Sequence, residues 1–160
     1  MAKTVKPVPE NYHSLTPQLV CDNASAAIDF YKKVFRATEI RRAPGPNGTI
    51  MHAELKIGDS TIFISDPMSK SLPRKPEAGS TNPIYLHLYV PDADSVYERA
   101  VAGGSRVEMP VQDMFWGDRY GKVTDPYGQQ WGIATHIEDV SPEEIARRQQ
   151  AFFVKAAGQH

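Results

Sequence analysis

His52 and Glu54 stand two residues apart in a run that alternates apolar with polar side chains, so both face one side of an extended strand. An imidazole beside a carboxylate is a pairing used for general acid–base catalysis; the same pair also forms at surfaces and pocket rims. In a second alternating run, His87 stands between Tyr85 and Tyr89 and shares their side of the chain. His52, Glu54 and His87 together make a 2-His-1-carboxylate set, the donor type for a divalent ion. Nothing in the sequence brings His87 beside the other two. Arg119 lies in Phe115-Trp116-Gly117-Asp118-Arg119-Tyr120-Gly121. It can hold a carboxylate or phosphonate by two parallel hydrogen bonds, or pair with Asp118, Glu54 or a partner subunit. Trp116-Gly117 reads as a tight loop that sets a large ring near a cavity mouth. Gly45-Pro46-Asn47-Gly48 is turn chemistry, without the Lys and following helix of a phosphate loop, and no nucleophile elbow is present.

The elements that must position these residues follow from periodicity. Leu15 to Cys21 reads as a strand, and Asn23 caps a helix carrying Ala27, Ile28, Tyr31, Val34 and Phe35 at helical spacing. Thr38 to Ala43 is a strand. After the 44–48 turn, Met51, Ala53, Leu55 and Ile57 face one way, while His52, Glu54 and Lys56 face the other. Gly58-Asp59 turns into Thr61 to Ser65. Pro67 to Pro83 is a connecting loop. The pattern then restarts with Tyr85 to Val90 and a helix opened by Asp92 or Asp94 and stopped at Gly103-Gly104. Strands follow at Arg106 to Met109, Tyr120 to Thr124 and Gln130 to His136, the last two joined at Asp125-Pro126-Tyr127-Gly128. Ser141, Pro142 and Glu144 open a final amphipathic helix with a capping box, its stripe including Phe152 and Phe153.

Overlaying the halves places Leu19 on Leu88 and Asn23 on Asp92 at a displacement of 69 residues, and Gly58 on Gly128 at 70. The expected fold is α+β: two βαβββ modules forming paired curved mixed sheets around a pocket, plus a C-terminal helix. Residues 1–10 read as a mobile tail. Residues 11–139 form the main body, with module one at 11–66 and module two at 83–139, and 140–160 form the terminal helix and tail.

The formal net charge of −1 provides no field for gathering nucleic acid, and Arg41-Arg42 and Arg147-Arg148 read as solvated surface. Neither a membrane span nor a signal peptide is legible. Cys21, the one cysteine, excludes an intramolecular disulfide and reads as a buried, inert thiol; a cytoplasmic setting is expected.

Ala27-Ile28-Asp29-Phe30-Tyr31, Val90-Pro91-Asp92 and Asp125-Pro126-Tyr127-Gly128 resemble the vicinal-oxygen-chelate superfamily, which includes glyoxalase I, bleomycin-resistance proteins and extradiol dioxygenases. Thr16-Pro17, His52 to Leu55, Phe115 to Gly121 and Trp131 to His136 resemble its PhnB-like branch. The old label of ubiquinone-type methyltransferase for that branch finds no Gly-rich strand-loop-helix here. The resemblance implies a fold that hosts lyases, isomerases, dioxygenases and binders alike. It also implies metal-ligand positions near Thr16, Ile62, Tyr85 and Gly132, none of which carries a ligand. The reading is therefore a small-molecule binder, a homodimer by resemblance, with no cofactor and no nucleic-acid or membrane partner. The alternative is a metal-dependent lyase, isomerase or dioxygenase with a displaced ion at His52, Glu54 and His87; metal-free acid–base catalysis by His52 and Glu54 is a third. Strand parity and the repeat assign Thr16, Gln18, His52, Glu54, Tyr85, His87 and Tyr89 to the pocket. Ile62 and Gly132 form its floor, and Trp116, Arg119 and Tyr120 lie at its mouth.

Overall fold

The computed structural model describes residues 5–68 and 84–158, which fall into two compact units divided between those stretches. Met1 to Thr4, at the start of the expected tail, and most of the expected 67–83 connection lie outside the described residues. Each unit runs β-α-β-β-β. Unit one contains β1 (Gln18–Val20), α1 (Ala24–Phe35), β2 (Thr38–Pro44), β3 (Ile50–Ile57) and β4 (Ser60–Ser65). Unit two contains β5 (Tyr85–Tyr89), α2 (Ala93–Ala102), β6 (Arg106–Asp113), β7 (Asp118–Thr124), β8 (Gln130–His136) and α3 (Pro142–Ala157). The sheets have strand orders β1-β4-β3-β2 and β5-β8-β7-β6, with one parallel pair in each, β1 with β4 and β5 with β8. Among the described residues no helix is long and apolar enough to cross a membrane.

In unit one, α1 buries Ala27, Ile28, Tyr31, Val34 and Phe35, the stripe its periodicity specifies, together with Ala24 and Phe30, and lies against β2, β3 and β4. Ala53, Leu55, Ile62 and Ile64 are buried on that side of the sheet, and a large apolar side chain buried this way contributes about 1.5–3 kcal/mol. Asn23 caps α1 by accepting from Ala26 N at 3.1 Å, and Asp66 accepts from Ala24 N at 3.0 Å. The alternation of β3 breaks at its start. Ala43 pairs with His52 but Pro44 pairs with Ile50, a bulge that buries Ile50 and turns Met51 out, against the expected inward position.

In unit two, α2 buries Ala93, Val96 and Ala100, while β7 and β8 contribute buried Val123, Trp131 and Ile133. Strand β6 reaches Asp113, longer than its Arg106–Met109 apolar signal, because two register shifts carry it past Pro110. At α3 the capping box forms only by half. Ser141 Oγ accepts from Glu144 N at 3.2 Å, but the Glu144 carboxylate pairs with Arg147 and Arg148 instead of reaching back. No residue of α3 is buried.

Candidate functional site

Cross-strand pairing determines which side chains share a face. Glu54 and Gln18 both stand opposite Phe63, and Arg41 stands opposite Glu54, so these four lie on the face of unit one away from α1. There an open hollow of about 640 Å³ is lined by Pro9, Tyr12, His13, Ser14, Thr16, Arg41, His52, Glu54 and Phe63. Its floor is Glu54, only 3% exposed. Tyr12 Oη donates to Glu54 Oε2, Arg41 Nε donates to Oε1 at 2.6 Å, and His52 Nε2 stands 3.1 Å from Oε1. Burial alone opposes ionisation of Glu54, but the bonds from Tyr12, His52 and Arg41 outweigh it and hold the carboxyl below its ordinary range. The Phe63 ring packs edge-on against His52 at 4.8 Å and lies 6.1 Å from Tyr12.

Unit two presents a different surface. Tyr85, His87 and Tyr89 share a face with Gln130, Gly132 and Ala134, and with Tyr120 and Lys122 on β7. His87 stacks on Tyr120 with centroids 5.3 Å apart and planes 9° apart. Lys122 Nζ sits 4.4 Å over the Tyr85 ring, close enough for cation–π attraction. Gly132 makes the stack possible: a Cβ there would lie 2.7 Å from the Tyr120 ring. Beneath the rings lies Asp118, 2% exposed. It accepts from Tyr89 Oη at 2.8 Å and Trp116 Nε1 at 3.0 Å, and His136 Nδ1 is 2.8 Å away. Desolvation pushes Asp118 up, and the bonds from His136, Tyr89 and Trp116 bring it below its ordinary value. Gly117 turns the loop before it at φ +100°; a side chain there would strike the Glu138 carbonyl oxygen.

Thr16, Gln18, His52 and Glu54 lie on the face that parity assigns them; Gln18 is exposed, its amide 3.4 Å from Ser65 Oγ. Tyr85, His87, Tyr89, Trp116, Tyr120 and Gly132 gather on the aromatic face of unit two. Two expectations need correcting. Ile62 stands opposite Leu55, buried on the helix side, and Phe63 occupies the position that matches Gly132. The displacement of 70 taken from the glycines is one too many: the paired Lys122 and Gly132 are separated by one residue more than the paired Glu54 and Phe63, and a one-residue slip exchanges the two faces of a strand. Arg119 also points to the helix side, held by Asp94 on α2 at 2.6 and 2.7 Å and by Asp113 at 3.1 Å. Besides Phe63, five lining residues were not foreseen: Pro9, Tyr12, His13, Ser14 and Arg41. The first four lie in an aperiodic stretch, and Arg41 resembled its solvated neighbour Arg42. Asp118 was legible only as one parity step from Tyr120.

The residues do not fit the metal centre of the resemblance. Thr16, Phe63, Tyr85 and Gly132 supply no strong donor, and both oxygens of Glu54 are committed, one to a guanidinium that would repel a cation. Among the described residues no three His, Cys, Asp or Glu side chains converge to hold an ion.

Residues 13–133 match the model of the Glyoxalase/Bleomycin resistance protein/Dioxygenase superfamily. An uncharacterized protein of Mycobacterium tuberculosis, Rv0887c, is 39% identical over 135 residues, spanning 82% of this chain and 79% of its own length. Among solved structures, TioX from Micromonospora sp. ML1 is similar with a TM-score of 0.60 at 25% identity, over 81% of this chain and 100% of TioX. The PhnB protein from Bacillus cereus is similar with a TM-score of 0.62 over 77% of this chain and 99% of its own, at 18% identity, a likeness of fold.

Proposed function

This chain belongs to the glyoxalase/bleomycin resistance protein/dioxygenase superfamily, and from that premise we propose that it binds a small organic molecule on the exposed sheet face of unit one. The observation that carries the reading is the hollow itself, which sets an aromatic wall of two tilted rings, Phe63 and Tyr12, against a polar rim of Thr16, Arg41 and His52. Ligand sites combine apolar area with a few fixed polar groups in this way. Glu54 has both oxygens in use, so its part is to orient Arg41, His52 and Tyr12 rather than to accept a proton from substrate. The aromatic face of unit two, with Tyr85, His87, Tyr89 and Tyr120, supports stacking of a second planar group.

The binding body is taken as residues 11–139, in a homodimer as the resemblance implies; sedimentation at twice the chain mass is expected, and a monomer would remove the dimer from the proposal. Binding itself is tested by titrating the isotope-labelled chain with a fragment set and following amide resonances. Saturable shifts at residues 10–16, 41, 52 and 63 are expected, and the affinity should weaken about tenfold in Phe63→Ala, from lost apolar contact. Fragments that shift only residues elsewhere would overturn the reading.

A further inference from the structure

We propose that the ligand of unit one carries an oxyanion, a carboxylate or phosphoryl group on a flat apolar body, and that Arg41 is the residue that takes it. The inference rests on the hollow being the ligand site and names what enters it. Arg41 is anchored by one nitrogen only: Nε donates to the buried Glu54 carboxylate at 2.6 Å, and neither Nη group has a partner among the described residues. The side chain is 63% exposed although its anchor is 4% exposed, so the guanidinium is oriented from below and open from above. That differs from Arg42 and Arg119, while Arg106 on β6 is held through Nη2 itself, by the partly exposed Glu108 at 2.7 Å, so that one arm of its fork is taken. Arg42 spends its Nε and Nη2 on Glu39, and Arg119 spends three nitrogens on Asp94 and Asp113.

An orienting carboxylate behind Nε leaves the two Nη groups as a planar fork, the geometry that grips an oxyanion through two parallel hydrogen bonds. Glu54 does not repel such a ligand. Its charge is matched by Arg41, it lies on the floor, and Tyr12 and His52 bond one to each of its oxygens. The Ser14 and Thr16 side chains on the rim supply hydroxyl donors, and the Phe63 and Tyr12 rings offer the apolar body a wall.

The test is an amide-resonance titration of the full chain with benzoate, phenylphosphonate and the neutral isostere benzamide. Both anions should shift Ser14, Thr16, His52 and Phe63 and bind about tenfold tighter than benzamide, the scale of a charge-assisted pair; the tighter of the two identifies the oxyanion. Arg41→Gln should lose that tenfold for the anions and weaken benzamide far less. If Arg41→Gln proves unfolded by its amide dispersion, Arg41→Lys decides: it keeps the charge, loses the fork, and should weaken both anions severalfold. Benzamide binding these residues as tightly as benzoate would overturn the oxyanion and leave the hollow as a ligand site. Unchanged anion affinity in the arginine variants would do the same. If none of the three probes shifts these residues, the site and its ligand class fall together.

Discussion

Glu54 in unit one and Asp118 in unit two are both nearly inaccessible carboxylates beneath an exposed sheet face. Each is satisfied by a tyrosine hydroxyl, a histidine ring nitrogen and one further N–H. They are not equivalent positions of the repeat. Glu54 stands opposite Phe63, and the matching residue opposite Gly132 is Lys122; Asp118 lies four residues earlier on its strand. The same solution has been built twice from different residues, which ties it to a physical need: an ionised side chain under a sheet face requires several donors to offset lost hydration. The third donor differs. Unit one uses the permanent cation of Arg41, whereas unit two uses the neutral indole of Trp116 and leaves His136 as its one titratable cation. Unit one is thereby left with a charged fork facing outward, and unit two with stacked rings.

The largest effect that would break this comparison is removal of either carboxylate. Glu54→Ala strands three donors and should cost about 2–3 kcal/mol, less than for a fully buried pair because Arg41 reaches solvent. Asp118→Ala should cost a similar amount, about 2–3 kcal/mol, with Tyr89 and Trp116 losing their acceptor. Urea unfolding checks both. Trp116 and Trp131, the two tryptophans of the chain, both lie in unit two, so tryptophan emission reports that unit specifically. A variant with an unchanged midpoint would show that its carboxylate organises nothing.

The pairing of faces also shows what could be read without coordinates. The element order, the buried stripe of α1 and the parity of His52 with Glu54 follow from spacing, because a strand has period two wherever its register is regular. Register itself depends on turn length, so Ile62 and Phe63 exchanged faces when the glycines alone were aligned. The bulge that expels Met51 left no mark in an apolar alternation. Arg119 was ambiguous by residue type, and only the position of Asp94 on α2 resolves it. Tyr12 and Arg41 reach Glu54 from segments 42 and 13 residues away. Nothing local could announce them.

Next in size is the contrast between Phe63 and Gly132, the matching positions in the two strands. Gly132→Ala drives a methyl group into the Tyr120 ring, which must move off His87; a cost of about 1–2 kcal/mol is expected. Thermal unfolding measures it, and a neutral result would mean that the ring stack yields freely. Smaller again are Tyr12→Phe and Tyr89→Phe, which each delete one hydroxyl donor to a carboxylate. Each should lower stability by about 0.5–1 kcal/mol, discounted for solvent access. Calorimetric melting compares the two, and a tenfold larger effect in one unit would end the analogy between them.

The smallest effect is also the one that separates the units most cleanly, because it depends on pH. His136 has carboxylates at both ring nitrogens, Asp118 at 2.8 Å and Asp139 at 2.9 Å, and only the protonated ring can donate to both. Hydrogen bonding to Asp139 and then to Asp118 raises its pKa above the ordinary 6.5. A raised folded-state pKa gives a contribution that is complete below about 6.5, the unfolded value, and is lost as pH rises through the folded value. Glu54 and Asp118 have lowered pKa values, so their contributions persist above the ordinary carboxylate range and disappear on acidification, in both units alike. The alkaline side distinguishes them, since Arg41 keeps its proton while His136 releases one. Tryptophan-detected urea midpoints should therefore decline as pH rises above about 6.5 in the unaltered chain. In His136→Gln that decline should flatten, while its acid limb remains. A decline of equal slope in the variant would place the titrating group elsewhere and leave Asp118 without the cation that the comparison assigns it.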